Sequence, residues 1–273
     1  ESGEGLGVIE MKVQGYIQGL HHQVWEPVQY FLQLDEQQVA LNDWLDQELS
    51  LSFLHEKACI HCGRKVKKTY NNGYCYPCFR DLAENDLCIV KPHECHFHLG
   101  TCRDEAWAEV HCMTPHIVYL ALSSDVKVGI TRKGNSIKRW IDQGAIQAIP
   151  IAELPTRKMA GELEAHLSQY LPDKTNWRRM LAGELAEADL FAVRDQVREW
   201  VPEHFRSFLL DDGQLVEIMY PMLEQIQKIR PLNLDKQAQI SGRLVGIKGQ
   251  YLIFEHGVFH VKKHSGYKVA IEA

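Results

Sequence analysis

Eight cysteines stand between positions 59 and 112, and the first four form two pairs, Cys59-Ile-His-Cys62 and Cys75-Tyr-Pro-Cys78, with twelve residues between them. Each Cys-x-x-Cys pair can turn two thiolates towards one ion, and two pairs supply the four sulfurs of a tetrahedral zinc site. Four thiolates leave no coordination position for a substrate, so the chemistry expected here is structural.

The other four, Cys88, Cys95, Cys102 and Cys112, are interleaved with His93, His96, His98 and His111. This segment has little periodicity and too few apolar residues for a core of its own, which leads to the expectation of a second closed zinc. Four cysteines suffice, although His96 or His111 can replace a neighbour, and buried thiols beside surface histidines are the alternative. Two structural zinc ions per chain are therefore expected.

A second group of reactive residues lies in "VYLALSSDVKVGITR", Val118 to Arg132. Strand side chains alternate, so the apolar sets Val118, Leu120, Leu122 and Val126, Val128, Ile130 share a face only if Ser123-Ser124-Asp125 is the loop. Tyr119 then lies opposite Gly129. The second face carries Tyr119, Lys127, Gly129 and Thr131, with the glycine leaving room for a substrate backbone. Arg139 follows on a helix capped by Asn135 or Ser136, with Ile137, Trp140 and Ile141 on one face, and stopped by Gly144. In "MAGELEAHLSQYL" the apolar stripe is Met159, Leu163, Leu167, Tyr170 and Leu171. At about 100° per residue, Glu164 falls on the stripe's margin and Glu162 nearer solvent.

In this order, tyrosine strand, "KVGIT" strand, helix arginine and helix glutamate resemble the GIY-YIG endonuclease domain over Pro115 to Leu181. Tyr119 matches the tyrosine of the first motif, Val128-Gly129 the end of the second, Arg139 the helix arginine and Glu164 the metal-binding glutamate. The first motif's glycine is absent, and the second motif's tyrosine is Lys127, as in the phage-like branch. The resemblance implies hydrolysis of a phosphodiester: Glu164 holding Mg²⁺ or Mn²⁺, Arg139 neutralising charge on the phosphate, and Tyr119 with Lys127 orienting or deprotonating water. Around the first cysteine pairs, the hairpin formed by "RKVKKTY" and "YCY" through Asn72-Gly73, followed by the helix start "CFRDLAE", is similar to a treble-clef zinc finger. The whole chain is also similar to an uncharacterised bacterial family that joins a cysteine-rich region to such a domain, in segments such as "KVGITR", "RWIDQGA" and "DKTNWRRML".

Stepping outwards, the composition is that of a globular chain: 273 residues, 45% hydrophobic and 24% charged. The net charge of -6 argues against a general nucleic-acid coat, but the charge is unevenly placed. Glu56 to Arg80 holds six basic residues against one acid, and Lys127 to Arg139 five against none. Arg64, Lys65, Lys67, Lys68, Arg132 and Lys133 are the expected phosphate contacts, with DNA or RNA as partner. Apolar runs are too short for a membrane helix and none resembles a signal peptide, so a cytoplasmic protein without a membrane partner is expected.

The expected fold class is α+β: a GIY-YIG-like α/β domain, a treble-clef-like zinc region, and a small β domain built from the two termini. Residues 1–55 read as an N-terminal β segment, 56–114 as the zinc region and 115–210 as the nuclease-like domain. Residues 211–235 read as a linking helix, from Leu215 to Ile229, and 236–273 as C-terminal strands. "VQGYIQGL" at Val13 and "ISGRLVGI" at Ile240 share Gly, aliphatic, Gly at the same spacing, which favours terminal strands meeting in one sheet or barrel. The function expected is a metal-dependent nuclease with structural zinc; the alternative is a non-catalytic zinc module that binds nucleic acid or protein.

Overall fold

Period-two alternation of apolar side chains makes the two ends of the chain into strands. The computed structural model describes residues 10–273, so the first nine residues of the expected N-terminal β segment lie outside the described residues. Strands β1 (Lys12–Gln23), β2 (Gln29–Leu34), β3 (Gln37–Ala40) and β4 (Glu48–Ala58) come first. The cysteine-rich stretch adds a short β5 (Lys65–Val66) and helices α1 (Tyr76–Asp81) and α2 (Glu105–His111). A central unit follows with β6 (His116–Leu122), β7 (Val126–Arg132), α3 (Ser136–Asp142), β8 (Gln147–Leu154), α4 (Arg157–Leu167), α5 (Trp177–Leu181), α6 (Leu190–Trp200) and β9 (Val216–Glu217). Strands β10 (Pro231–Leu232), β11 (Gln239–Lys248), β12 (Tyr251–Phe254), β13 (Gly257–His260) and β14 (Tyr267–Glu272) end the chain. The fold is α+β.

The terminal strands share one sheet, in the order β10-β13-β12-β11-β4-β14-β1-β2-β3, with β5 paired to β4. Its two halves are related by a pseudo-twofold axis between β4 and β14. Strand β1 pairs first with β14 and then, past a bulge at Ile17/Gly19, with β2. Likewise β11 pairs with β4 and then, past a bulge at Leu244/Gly246, with β12. Leu51 and Ile271, which occupy equivalent places, pair with each other. Asp46 and Gly266 both have positive φ, 66° and 83°. Their amides donate 2.8 Å bonds to Leu244 O and Ile17 O, which are also equivalent. The shared glycine pattern of the sequence thus marks matching strands of a duplicated unit: Gly15 with Gly242, and Gly19 with Gly246.

The central sheet runs β7-β6-β8-β9. Its hairpin register, Leu122 opposite Val126 and Tyr119 opposite Gly129, is the one that apolar alternation requires. Every residue of β6 is buried because both faces are covered. Val118, Leu120, Leu122, Val126 and Val128 pack against Leu163 and Leu167 of α4 and Val197 of α6, while Tyr119 and Ala121 pack under Trp140 of α3. Strand β7 is an edge, flanked by α3 and α4.

Two expectations about elements are corrected. Leu215–Ile229 is not a linking helix: Val216–Glu217 is a strand on β8, and Met222 bridges Gly246 of β11. Pro221 has no amide hydrogen to continue a helix, and the apolar residues dock in different cores, Leu215 with α4 and α6, Tyr220 with the terminal sheet and Ile226 beside Met180. Helix α4 ends at Leu167, so Tyr170 is not part of its stripe; it is half-exposed and stacks on Trp200 at 4.6 Å between ring centroids.

Because β4 is bonded to β11 on one side and β14 on the other, truncation after Lys236 strips both edges of that strand. Such a truncation is expected to aggregate during expression, whereas the full chain is monodisperse by size-exclusion chromatography. A soluble truncated chain with native far-ultraviolet circular dichroism in its central unit would show that the sheet's halves fold separately.

Candidate functional site

Cys59 starts a knuckle that closes through Gly63 N donating to Cys59 O, and Gly63 takes the φ of 74° that such a turn needs. Asn71, Asn72 and Gly73, all with positive φ, turn the following hairpin between Tyr70 and Tyr74. Cys75 is the N-cap of α1 and Cys78 lies in its first turn. The four sulfurs lie within 4.8 Å of one another, with Cys62 and Cys75 3.7 Å apart, a separation that suits four thiolates around one zinc. Burial alone would raise the Cys59 thiol, but the amides of Cys62, Cys75 and His61 bring it down to about 6. Burial and the hydrogen bonds that its thiol donates to the other sulfurs push Cys78 up. A bound cation would hold all four sulfurs as thiolates.

The second cysteine group is arranged differently from the expected four-cysteine site. Cys88, Cys95, Cys102 and Cys112 line one small cavity with Asp86 and His96. Among the described residues there, the ligand atoms that converge within 4.8 Å are those of Asp86, Cys88 and His96. The remaining sulfurs sit on separate short turns, and Cys102 Sγ donates to Asp104 O at 3.5 Å. Neither His93, which is 3.8 Å from Glu94, nor His111, stacked on Trp107, joins that triad.

Tyr119, Lys127, Arg139 and Glu164 come from β6, β7, α3 and α4, and they line one cavity of about 240 Å³ at the edge of the central sheet. Gly129, Gln143, Arg157, Asp173 and Lys174 complete its wall. A neighbouring cavity of about 290 Å³ shares Arg139 and Arg157 and adds Arg132, Trp107, His111 and His116. A wider groove of about 470 Å³ lies elsewhere, between β4 and β5, and Lys65 and Lys67 line it. Arg64, Lys65, Lys67 and Lys68 are exposed; Lys65 pairs with Glu56 at 3.5 Å, and Lys68 lies over the Tyr70 ring. Lys133 is paired with Glu153 at 2.7 Å.

Lys127 is 4% exposed and has no hydrogen-bond or ion-pair partner among the described residues. Burial and the adjacent Arg139 charge bring its ammonium down to about 8. Burial and the Asp173 charge push the Glu164 carboxyl up to about 7, against the opposing pull of Lys127, Arg139 and Arg157. Tyr119 is fully buried, and its hydroxyl donates to Gln143 Oε1 at 2.8 Å. Burial pushes that phenol up to about 12, so the hydroxyl stays protonated and serves as a hydrogen-bond donor. Gly129 also has a different use from the one expected. A Cβ there would sit 2.6 Å from the Tyr119 hydroxyl, so the glycine makes room for the tyrosine instead of a substrate. Glu162 points away and pairs with Lys158 at 3.1 Å.

The flanking modules hold this cavity in shape. Arg157, the first residue of α4, donates to the carbonyls of Cys88 (3.0 Å) and Ile89, and Gly161 lies so close to Pro92 and His93 that no Cβ fits. Helix α3 is gripped at its other end. Asp142 accepts from His22 of β1 at 3.0 Å and from Gln250, just after β11, at 2.8 Å, one from each half of the duplicated sheet. Arg157, Gln143 and Asp173 escaped the sequence reading. Gln143 and Asp173 carried a signal only as parts of the quoted "RWIDQGA" and "DKTNWRRML" segments, and Arg157 carried none.

Fold and site together define an α+β protein in which a cysteine-rich region with a metal-type cluster and a duplicated β module flank a polar cavity lined by a buried lysine. The chain belongs to DUF2797, a family described as "Protein of unknown function", whose model matches residues 46–269. No curated protein and no solved structure matches it significantly. No helix among the described residues is long and apolar enough to cross a membrane.

Elemental analysis of purified protein is expected to give at least one zinc per chain, lost with solubility in the Cys59→Ser/Cys62→Ser double variant. A Lys127 ammonium held near 8, below the ordinary value for an unfolded chain, opposes folding at all pH values below about 8, and the opposition fades as pH rises towards the ordinary lysine value. Lys127→Met is therefore expected to fold and to gain about 2–3 kcal/mol at pH 7 in denaturant melts, with a smaller gain above pH 9 or so. A loss of stability at pH 7 would mean that the ammonium holds the cavity together.

Proposed function

We propose that the protein is a metal-dependent nuclease of the GIY-YIG type, hydrolysing a phosphodiester bond of DNA or RNA, with its cysteine-rich region a treble-clef-like zinc module. The observation that carries this reading is the convergence of Tyr119, Lys127, Arg139 and Glu164, from four separate elements, on one cavity. Buried carboxylate oxygen is a suitable donor for a hard divalent ion such as Mg²⁺ or Mn²⁺. Such an ion, when bound, supplies positive charge next to the leaving oxygen.

The chain's own residues divide the remaining work. Lys127 in its neutral form takes a proton from the attacking water, since a group held near 8 exchanges protons at physiological pH far better than a phenol held near 12. The oxygen of that water bonds to phosphorus as the bond to the leaving oxygen breaks, and solvent returns a proton to the leaving oxygen. Arg139 neutralises charge that grows on the non-bridging oxygens. Tyr119 of β6, tied to Gln143 at the end of α3, fixes that helix against the central sheet and keeps its hydroxyl in the cavity wall. Arg132, beside Arg139 in the adjoining cavity, extends the phosphate track.

A labelled panel of single-stranded, double-stranded and branched DNA and RNA tests the reading. At least one member is expected to be cut in Mn²⁺ or Mg²⁺, with a rate that rises with pH through about 8 as Lys127 loses its proton. Glu164→Ala is expected to abolish metal-dependent turnover, Arg139→Ala to slow it by roughly 10²–10³-fold, and Glu162→Ala to leave it unchanged. Salt-sensitive binding with no cleavage of any substrate would instead favour a nucleic-acid-binding module.

A further inference from the structure

The segment Pro172–Asn176 is in no helix or strand, yet it is pinned at both ends. Val128 N of β7 donates to Pro172 O at 3.0 Å. Ser123 Oγ and Thr175 Oγ1 are 3.0 Å apart, and Asn176 N donates to Ser124 Oγ at 3.3 Å. Ser123 and Ser124, the turn of the β6–β7 hairpin, are 0% and 2% exposed, so their polar groups serve this segment rather than solvent. Beyond it, Asn176 caps α5 and Arg179 pairs with Asp125 of the same turn at 2.8 Å. The effect is to fix Asp173 and Lys174 in the wall of the cavity that holds Glu164 and Lys127.

We propose that Asp173 and Glu164 together form the binding site for a hard divalent cation, in the cavity that Lys127 lines. This deepens the nuclease reading and rests on it for the identity of the substrate. Neither carboxylate has a hydrogen-bond or ion-pair partner among the described residues, although the cavity also contains Arg139, Arg157 and Lys174. The independent sign of a ligand is Lys127, a cation nine-tenths buried, unpartnered and facing the same space. A buried charge without a partner in the chain is costly unless one arrives from outside, so the cavity is suited to a charged ligand from solution.

Titration of zinc-loaded full-length protein with Mn²⁺, read by the loss of the free-ion electron paramagnetic resonance signal, tests this without reference to activity. Wild type is expected to bind one Mn²⁺, and Asp173→Asn and Glu164→Gln each to weaken it at least tenfold. Asp173→Glu is expected to recover part of the loss, and Glu162→Gln to match wild type. Asp173 is exposed, so its variants should retain zinc and the native melting profile; Thr175→Val, which frees the segment without touching a carboxylate, should also weaken Mn²⁺. If Asp173→Asn keeps wild-type affinity while Glu164→Gln loses it, this proposal fails and the nuclease reading stands. If wild type binds no more Mn²⁺ than Glu164→Gln, both fail.

Discussion

One constraint governs the centre of this molecule: an ammonium and a carboxylate, Lys127 and Glu164, are kept largely out of water without being bonded to each other. Desolvating charged groups costs several kcal/mol each, so the arrangement persists only if the surrounding structure leaves neither group a way out. Placing Lys127 on β7, at the edge of the central sheet, opens one side to a ligand. The strand's apolar face packs on α4, and Gly129 lets Tyr119 fill the space beneath α3. The result is a cavity whose walls are rigid and whose contents are charged, an arrangement in which electrostatic stabilisation of a developing charge needs little reorganisation.

The rest of the chain braces that cavity from two directions. On one side the cysteine-rich region presents the carbonyls of Cys88 and Ile89 to Arg157 and presses Pro92 against Gly161, so α4 cannot shift without moving the cysteine-rich turns. On the other, His22 and Gln250 close on Asp142 from the two halves of the duplicated sheet and fix the far end of the helix that carries Arg139. Burial alone would raise the Asp142 carboxyl, and the bonds from His22 and Gln250 hold it down, so Asp142 enters this clamp as a carboxylate. The later part of the cysteine-rich region is thus structural in a specific sense: through Cys88, Ile89 and Pro92 it sets the position of one wall of the cavity.

What the sequence made legible is what depends on local spacing. Two Cys-x-x-Cys pairs converge because each pair needs only one turn of chain, and the hairpin register follows from period-two alternation with a three-residue loop. Helical angle placed Glu164 at the cavity margin and Glu162 on the solvent side. What escaped depends on packing between distant segments. The apolar spacing of Leu215–Ile229 imitates a helix, but its residues are shared among three cores. The role of Tyr119 turns on burial, which raises its phenol instead of lowering it. Asp173 reaches the cavity only because the buried serines of the hairpin turn hold its loop there. The glycine echo between Val13 and Ile240 carried real information about the duplicated sheet, although eight residues alone could not separate matching strands from ordinary alternating ones.

The central claim is that this cavity drives water onto a phosphodiester, and the most direct test follows the oxygen. Cleavage in ¹⁸O-water with Mn²⁺ is expected to place one ¹⁸O in the terminal phosphate of the cut strand, detected by mass spectrometry of the products, and to place none with Glu164→Gln. Products carrying a cyclic phosphate and no label, or intact nucleic acid across the whole panel, would contradict the account.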